Sequence, residues 1–256
     1  MERRLSRERI PGLNTTGLRI WGMVFLVLAA AGKALLQNRL LQMNEATDLL
    51  AALSTGSGML IATFALMLQT IEGCAIPVFA YLALEGAKHT ADFGKYMMRV
   101  AGLALLTELP YNFAMSGKLL DLSDRNPVFG VALALILIYF YKRYEGKRIQ
   151  NIAIKVAVTL AAFVWAGMLR INHGNAFVAV VAALWLFWNK PNFRNLAGGC
   201  AMMLCSLISP FYLMAPMGFL ILHFYNGEKG PSRREVHYLV YPVALLAIGL
   251  IGFFLM

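Results

Sequence analysis

The hydrophobic positions of this chain fall into long blocks with short polar gaps. Residues 20–36 are apolar except for Lys33, and residues 37–58 start polar and turn weakly amphipathic. Residues 59–84 are apolar apart from Gln69, Thr70 and Glu72. That block is too long for one untilted span and too short for a hairpin. It reads as a lead-in helix followed by a span near 68–87, kinked at Pro77 and closely packed at Gly73. Further spans are expected at 100–115 (broken by Glu108 and Pro110), 127–141, 152–171 and 176–188. Two shorter passes, 196–209 and 211–224, are divided by Pro210, and the last span is 236–256. The pattern predicts an all-α fold, a polytopic helical membrane bundle of about nine transmembrane helices. The sequence lacks the alternating strands of a membrane barrel and any period that would mark a repeat array.

Composition sharpens this. Of 256 residues, 59% are hydrophobic and 14% charged, against roughly 25% charged in soluble domains. No polar segment is long enough for a soluble domain, so 1–256 reads as one membrane domain with a basic N-terminal segment, 1–19. The net charge of +10 sits between the apolar blocks. It therefore points to topology and anionic membrane lipids rather than nucleic acid. With the N-terminus cytoplasmic, nine spans place Lys88/Lys95/Arg99, Lys142/Arg143/Lys147/Arg148, Lys190/Arg194 and Lys229/Arg233/Arg234 inside. A basic cytoplasmic face would suit a polyanionic nucleotide such as coenzyme A without requiring one. The first block has the layout of a signal peptide, but a retained span is preferred. Cys74, Cys200 and Cys205 lie in apolar surroundings with no CxxC or zinc-like spacing, so they read as small core residues, and no metal is expected.

Five polar clusters interrupt the apolar blocks. In Glu85/Lys88/His89 the carboxylate and imidazole share a helix face at i, i+4. The cluster either faces a wet cavity or is a helix end snorkelling to the headgroups. Glu108 and Asn112 flank Pro110, which loosens the local ladder and can aim both into a cavity. The alternative is a buried carboxylate paired with Arg99 or Arg125. Asp121, Asp124, Arg125 and Asn126 form a charged loop or a solvated, capped turn. Asn172-His173-Gly174-Asn175 is a tight turn whose histidine can move a proton near neutral pH or serve structure alone. Tyr225-Asn226-Gly227-Glu228-Lys229-Gly230, followed by His237 and Tyr241, contains the strong Asn-Gly turn signal. No phosphate loop, dinucleotide turn, HExxH or nucleophile elbow is present in the sequence.

The stretches IPVFAYLALEGAKHT, LLTELPYNF, RNPVFGVALAL, FYNGEKG and HYLVYPVALL, in this order, resemble the TraX family. The resemblance spans most of 68–256. It implies a multi-span protein of the bacterial cytoplasmic membrane that passes an acetyl group from acetyl-CoA to an acceptor, pilin or another peptide. Glu85, Gly86, His89, Glu108, Pro110, Asn112, Asn126, Asn226 and Gly227 fall on the family pattern. Three positions depart from it. The first-span Asp-His pair falls at Ala29 and Ala30. The Asp-Tyr-Gly turn reads Asn172-His173-Gly174. The C-terminal Tyr-Pro-x-His ends at Ala244.

The first expectation is therefore a TraX-like acyltransferase. His89 or His173 would be its base, oriented by Glu108 or Glu85. Asn112, Arg125, Asn126, Asn226, Lys88, His237 and Tyr241 would bind substrate or cofactor. A second is a degenerate relative that binds a lipid, peptide or partner. A third is a small-molecule transporter, although no paired broken helices support it.

Overall fold

The computed structural model describes residues 12–42, 46–230 and 234–255. Helix α1 (Thr15–Ala31) starts where the Asn14 side chain accepts the Gly17 N–H at 2.9 Å, an ordinary N-cap. It continues without a break as a π-helical segment, Gly32–Leu40. Helices α2 (Ala46–Leu53), α3 (Gly56–Glu72), α4 (Ala75–His89) and α5 (Phe93–Ser116) follow. Gly117 closes α5 in the left-handed conformation, φ 73°, which glycine adopts without strain. Then come α6 (Val128–Arg143), α7 (Ile149–Met168), α8 (Gly174–Leu186) and α9 (Pro191–Ser206). Two short 3₁₀ turns, Pro210–Tyr212 and Ala215–Met217, lead to α10 (Gly218–His223) and α11 (Arg234–Phe254). No strand occurs among the described residues, only two isolated bridges.

Helix α4 is the axis of the bundle. Ile76, Val78, Ala80, Ala83, Leu84 and Ala87 are all buried, because α4 is apolar on every side and is enclosed by α1, α6, α8 and α10. The main core joins α4, α6 and α8 through Leu84, Ile138, Phe177 and Val181. A second core joins α1, α5 and α11 through Leu26, Ala30, Tyr111, Tyr241 and Leu245. Outward faces are apolar too. Leu60, Phe64, Leu160, Val164, Met168 and Leu204 are exposed, an arrangement that water would penalise and hydrocarbon would not.

Lys142 Nζ donates to Ala87 O at 2.8 Å, Lys88 sits over Trp188, and Tyr225 joins Glu85 to Thr15. These contacts gather the start of α1, the C-terminal ends of α4, α6 and α8, and the loop after α10 at one end. The basic loops of the sequence meet there.

Among the described residues, three helical stretches are long and apolar enough to cross a membrane: Thr15–Leu40, Gly56–His89 and Ile149–Met168. Shorter apolar stretches cover Gly174–Leu186, Pro210–His223 and Tyr238–Phe254. The expected kink at Pro77 is absent. The break lies instead at Gly73-Cys74, and Pro77 occupies the first turn of α4, where its missing N–H leaves no bond unmade. Gly73 suits the break, because a Cβ there would lie 3.1 Å from the Phe211 carbonyl oxygen and crowd it. The expected pass 211–224 is also not one helix. Pro210 and Pro216 hold its first half in 3₁₀ turns, leaving a six-residue α10.

Candidate functional site

The polar side chains collect in two groups at different depths, not in one cavity. Along α4, Glu85 and Ala75 are ten residues apart, roughly 15 Å of helix rise, and Glu72 lies beyond Ala75. Glu85 belongs to the basic end and Glu72 to the inner group.

The inner group is built around the turn between α7 and α8. His173 adopts φ 57° and Arg170 φ 51°, left-handed conformations that L side chains adopt only under constraint. The constraint is visible. The Arg125 N–H donates to Arg170 O and the Asn172 N–H to Arg125 O, both at 2.9 Å, so the loop before α6 is stitched to this turn. His173 projects inward. Its Nε2 lies 3.2 Å from Glu72 Oε2, at ion-pair distance but outside hydrogen-bond geometry. Its Nδ1 lies 3.0 Å from the Tyr212 hydroxyl. The His173 and Glu72 side chains are 12% and 13% exposed, so the pair is nearly dry. Nearby, the Tyr111 hydroxyl donates to Asp124 Oδ2 at 2.9 Å and accepts from Asn172 Nδ2 at 3.2 Å. Lys33, carried by the π-helical segment, faces the same carboxylate at 3.5 Å. Tyr111 and Tyr241 pack in one core with Ala30 and Ala75.

Glu108 is saturated. Its Oε1 accepts from Arg125 Nη1 at 3.0 Å. Its Oε2 accepts from Asn126 N–H at 3.2 Å and Asn126 Nδ2 at 2.7 Å. Asn126 also donates to Ala104 O and accepts the Val128 N–H, tying down the chain just ahead of α6, whose N-cap is Pro127. Of the readings open for Glu108, the structure shows the paired carboxylate, with Arg125 as partner. Asn112 differs: it is 2% exposed and its Nδ2 has no hydrogen-bond partner among the described residues. It lines a cavity of about 160 Å³ together with Lys33, Tyr111, Ser116, Asp121 and Asp124. The Asp121 carboxyl, in the loop, is held below its usual range, chiefly by the Ser123 N–H.

At the basic end, Glu85 accepts the Tyr225 hydroxyl, which also meets Thr15 Oγ1 at 2.9 Å. Lys88 and His89 occupy the exposed last turn of α4, a favourable place for cations. Asn226 is a turn residue: its N–H donates to Leu13 O and its Oδ1 accepts from Glu228 N–H. His237 lies on α11, and its side chain is outside the described residues, as are residues 1–11 of the basic N-terminal segment.

The structure therefore brings His173, Asn112, Arg125, Asn126, Glu108 and Tyr241 towards one level and leaves Glu85, Lys88, His89 and Asn226 at the other. Glu72 and Tyr212 were not singled out from the sequence. A carboxylate inside an apolar block was the available signal for Glu72; Tyr212 had none. Among the described residues, no group of three or more His, Cys, Asp or Glu side chains is placed to hold a metal.

A helical, apolar bundle with ionisable side chains buried at depth defines a membrane-compatible protein with an internal polar site. The family model described as "TraX protein" matches residues 57–252, and the chain belongs to that family. No curated protein and no solved structure matches the chain.

Proposed function

We propose that the chain is a TraX-type membrane acyltransferase that moves an acetyl group from acetyl-CoA to an amine of a peptide or similar acceptor. It would cross the bacterial cytoplasmic membrane nine times, with the basic end cytoplasmic. The supporting observation is the partly buried Glu72–His173–Tyr212 arrangement. An ionised Glu72 favours the tautomer with hydrogen on Nε2, which leaves Nδ1 to accept a proton. Tyr212 fills that position in the resting structure. An acceptor amine in its place would lose its proton to His173 Nδ1 as nitrogen attacks the acetyl carbon. The carbon–sulfur bond then breaks, and the proton passes to the leaving thiolate.

This site also fits the departures from the family pattern. Ala29 and Ala30, where the family carries Asp-His, are buried on α1, and Ala30 packs with Tyr111 and Tyr241 beside the inner group. A histidine contributed by α8 would thus serve the region that a first-span histidine otherwise reaches. His89, exposed at the opposite end, is not assigned to proton transfer.

A second reading, a degenerate relative that binds a ligand without turnover, is favoured by the unpartnered Asn112 amide in its cavity. The two separate in one experiment. Membranes containing the protein are given labelled acetyl-CoA and candidate peptide acceptors. The acyltransferase reading expects His173→Ala to lower transfer by about 100-fold or more and His89→Ala to leave it unchanged. Equal transfer by wild type and His173→Ala would remove the assignment. Acetyl-CoA binding to wild type without any transfer would favour the second reading.

A further inference from the structure

We infer that Lys88, Arg194 and Trp188 at the basic end form a seat for the phosphate headgroup of an anionic phospholipid. Lys88 Nζ lies 4.4 Å from the centre of the Trp188 ring. The Arg194 guanidinium lies 5.0 Å from the same ring and 4.9 Å from Tyr81. Tyr81 and Trp188 stack at 5.3 Å. One indole therefore gathers two like charges, which repel each other. Contact with an aromatic face holds a cation without neutralising it.

The protein supplies little counter-charge. Glu85 accepts the Tyr225 hydroxyl, a neutral donor, and makes no ion pair within 4.0 Å with Lys88 or Arg194, while the hydrogen bond from Arg194 Nε goes to the neutral Asn195 side chain at 3.3 Å. Glu145 exerts its field on Lys88 from a distance, while Lys142 and Arg194 oppose it. No ion pair within 4.0 Å joins Lys88 or Arg194 to a carboxylate among the described residues. An anion is the missing complement.

The surroundings select a lipid rather than a soluble anion. A cavity of about 440 Å³, lined by the 185–190 segment, adjoins Trp188. Leu186, Phe193 and Leu196 turn outward beside it, 75%, 59% and 63% exposed. Lys190, 5.9 Å from the Phe193 ring, adds a third cation at this rim. A phospholipid satisfies both halves: its phosphate meets the cations, and its acyl chains cover the leucines and phenylalanine. Tryptophan with lysine and arginine at helix ends is also the composition of the headgroup level.

The test uses the full chain in nanodiscs of phosphatidylcholine with a minor share of phosphatidylglycerol, with retained lipid read by native mass spectrometry after detergent extraction. Wild type is expected to retain phosphatidylglycerol over phosphatidylcholine. Arg194→Gln and Lys88→Gln should each lower that retention about fivefold, while Arg194→Lys keeps most of it and His173→Ala all of it. If Arg194→Gln fails to fold, Lys88→Gln, on the exposed last turn of α4, carries the comparison. Retention unchanged in the Gln variants, or equal retention of the two lipids, would overturn the seat. Stoichiometric displacement of phosphatidylglycerol by coenzyme A would reassign it to a nucleotide and equally overturn the lipid.

Discussion

Removing the guanidinium of Arg125 isolates a buried carboxylate. Glu108 is only 9% exposed at its side chain, whereas Arg125 is 30% exposed. Arg125→Ala leaves Glu108 with its two bonds from Asn126 and no opposing charge. Breaking a buried pair from one side costs about 3–5 kcal/mol, and the surviving Asn126 donors place this case near 3. For a chain of this size that is a fall in Tm of about 6–12 °C. Glu108→Gln removes the buried charge and leaves only the partly exposed Arg125 unpaired, so the expected loss is about 1 kcal/mol. The double variant should therefore be more stable than Arg125→Ala alone, since no charge remains to be isolated. Thermal unfolding in nanodiscs, followed by tryptophan fluorescence, gives all three values. A wild-type Tm for Arg125→Ala, or a double variant whose loss is the sum of the singles, would refute the pairing as the reason Glu108 is tolerated at depth.

Two further predictions concern packing and the basic end. Gly218→Ala places a Cβ 2.4 Å from the Cys74 carbonyl oxygen, so it should cost about 1–3 kcal/mol, while Gly102→Ala meets nothing within 4 Å and should be neutral or gain up to about 1 kcal/mol in the same unfolding assay. Tyr225→Phe deletes the hydroxyl between Glu85 and Thr15 and should lower stability by about 1–2 kcal/mol without reducing acetyl transfer.

The fold class was legible because apolar blocks of span length, with charge confined to the gaps, leave few alternatives to a helical bundle in lipid. The clustering of Lys88, Lys142 and Arg194 at one end was legible through the alternation of basic loops. The break in the second block was not. Proline carried the expectation of a kink, but a proline in a first turn costs nothing, and the neighbour that crowds Gly73, Phe211, is 138 residues away in sequence. The same blindness to distance hid the inner site. His173 stood out as a turn histidine and Glu72 could be seen as a carboxylate in an apolar block, but nothing local pairs them with each other or with Tyr212, and the three meet only when α3, the α7–α8 turn and a 3₁₀ turn converge. Glu85 and His89 show the converse. Their i, i+4 spacing suggested a joint role, yet at the last turn of α4 Glu85 turns inward to Tyr225 while His89, the final helical residue, is exposed.

The claim that His173 and Glu72 work as one proton-handling unit is tested most directly by a double-mutant cycle on the initial rate of labelled acetyl transfer. His173→Ala, Glu72→Gln and the double variant are compared in the same vesicle preparation. A unit predicts that each single loses transfer and that the double is no slower than His173→Ala. Losses that multiply in the double variant, or a Glu72→Gln rate equal to wild type, would contradict it.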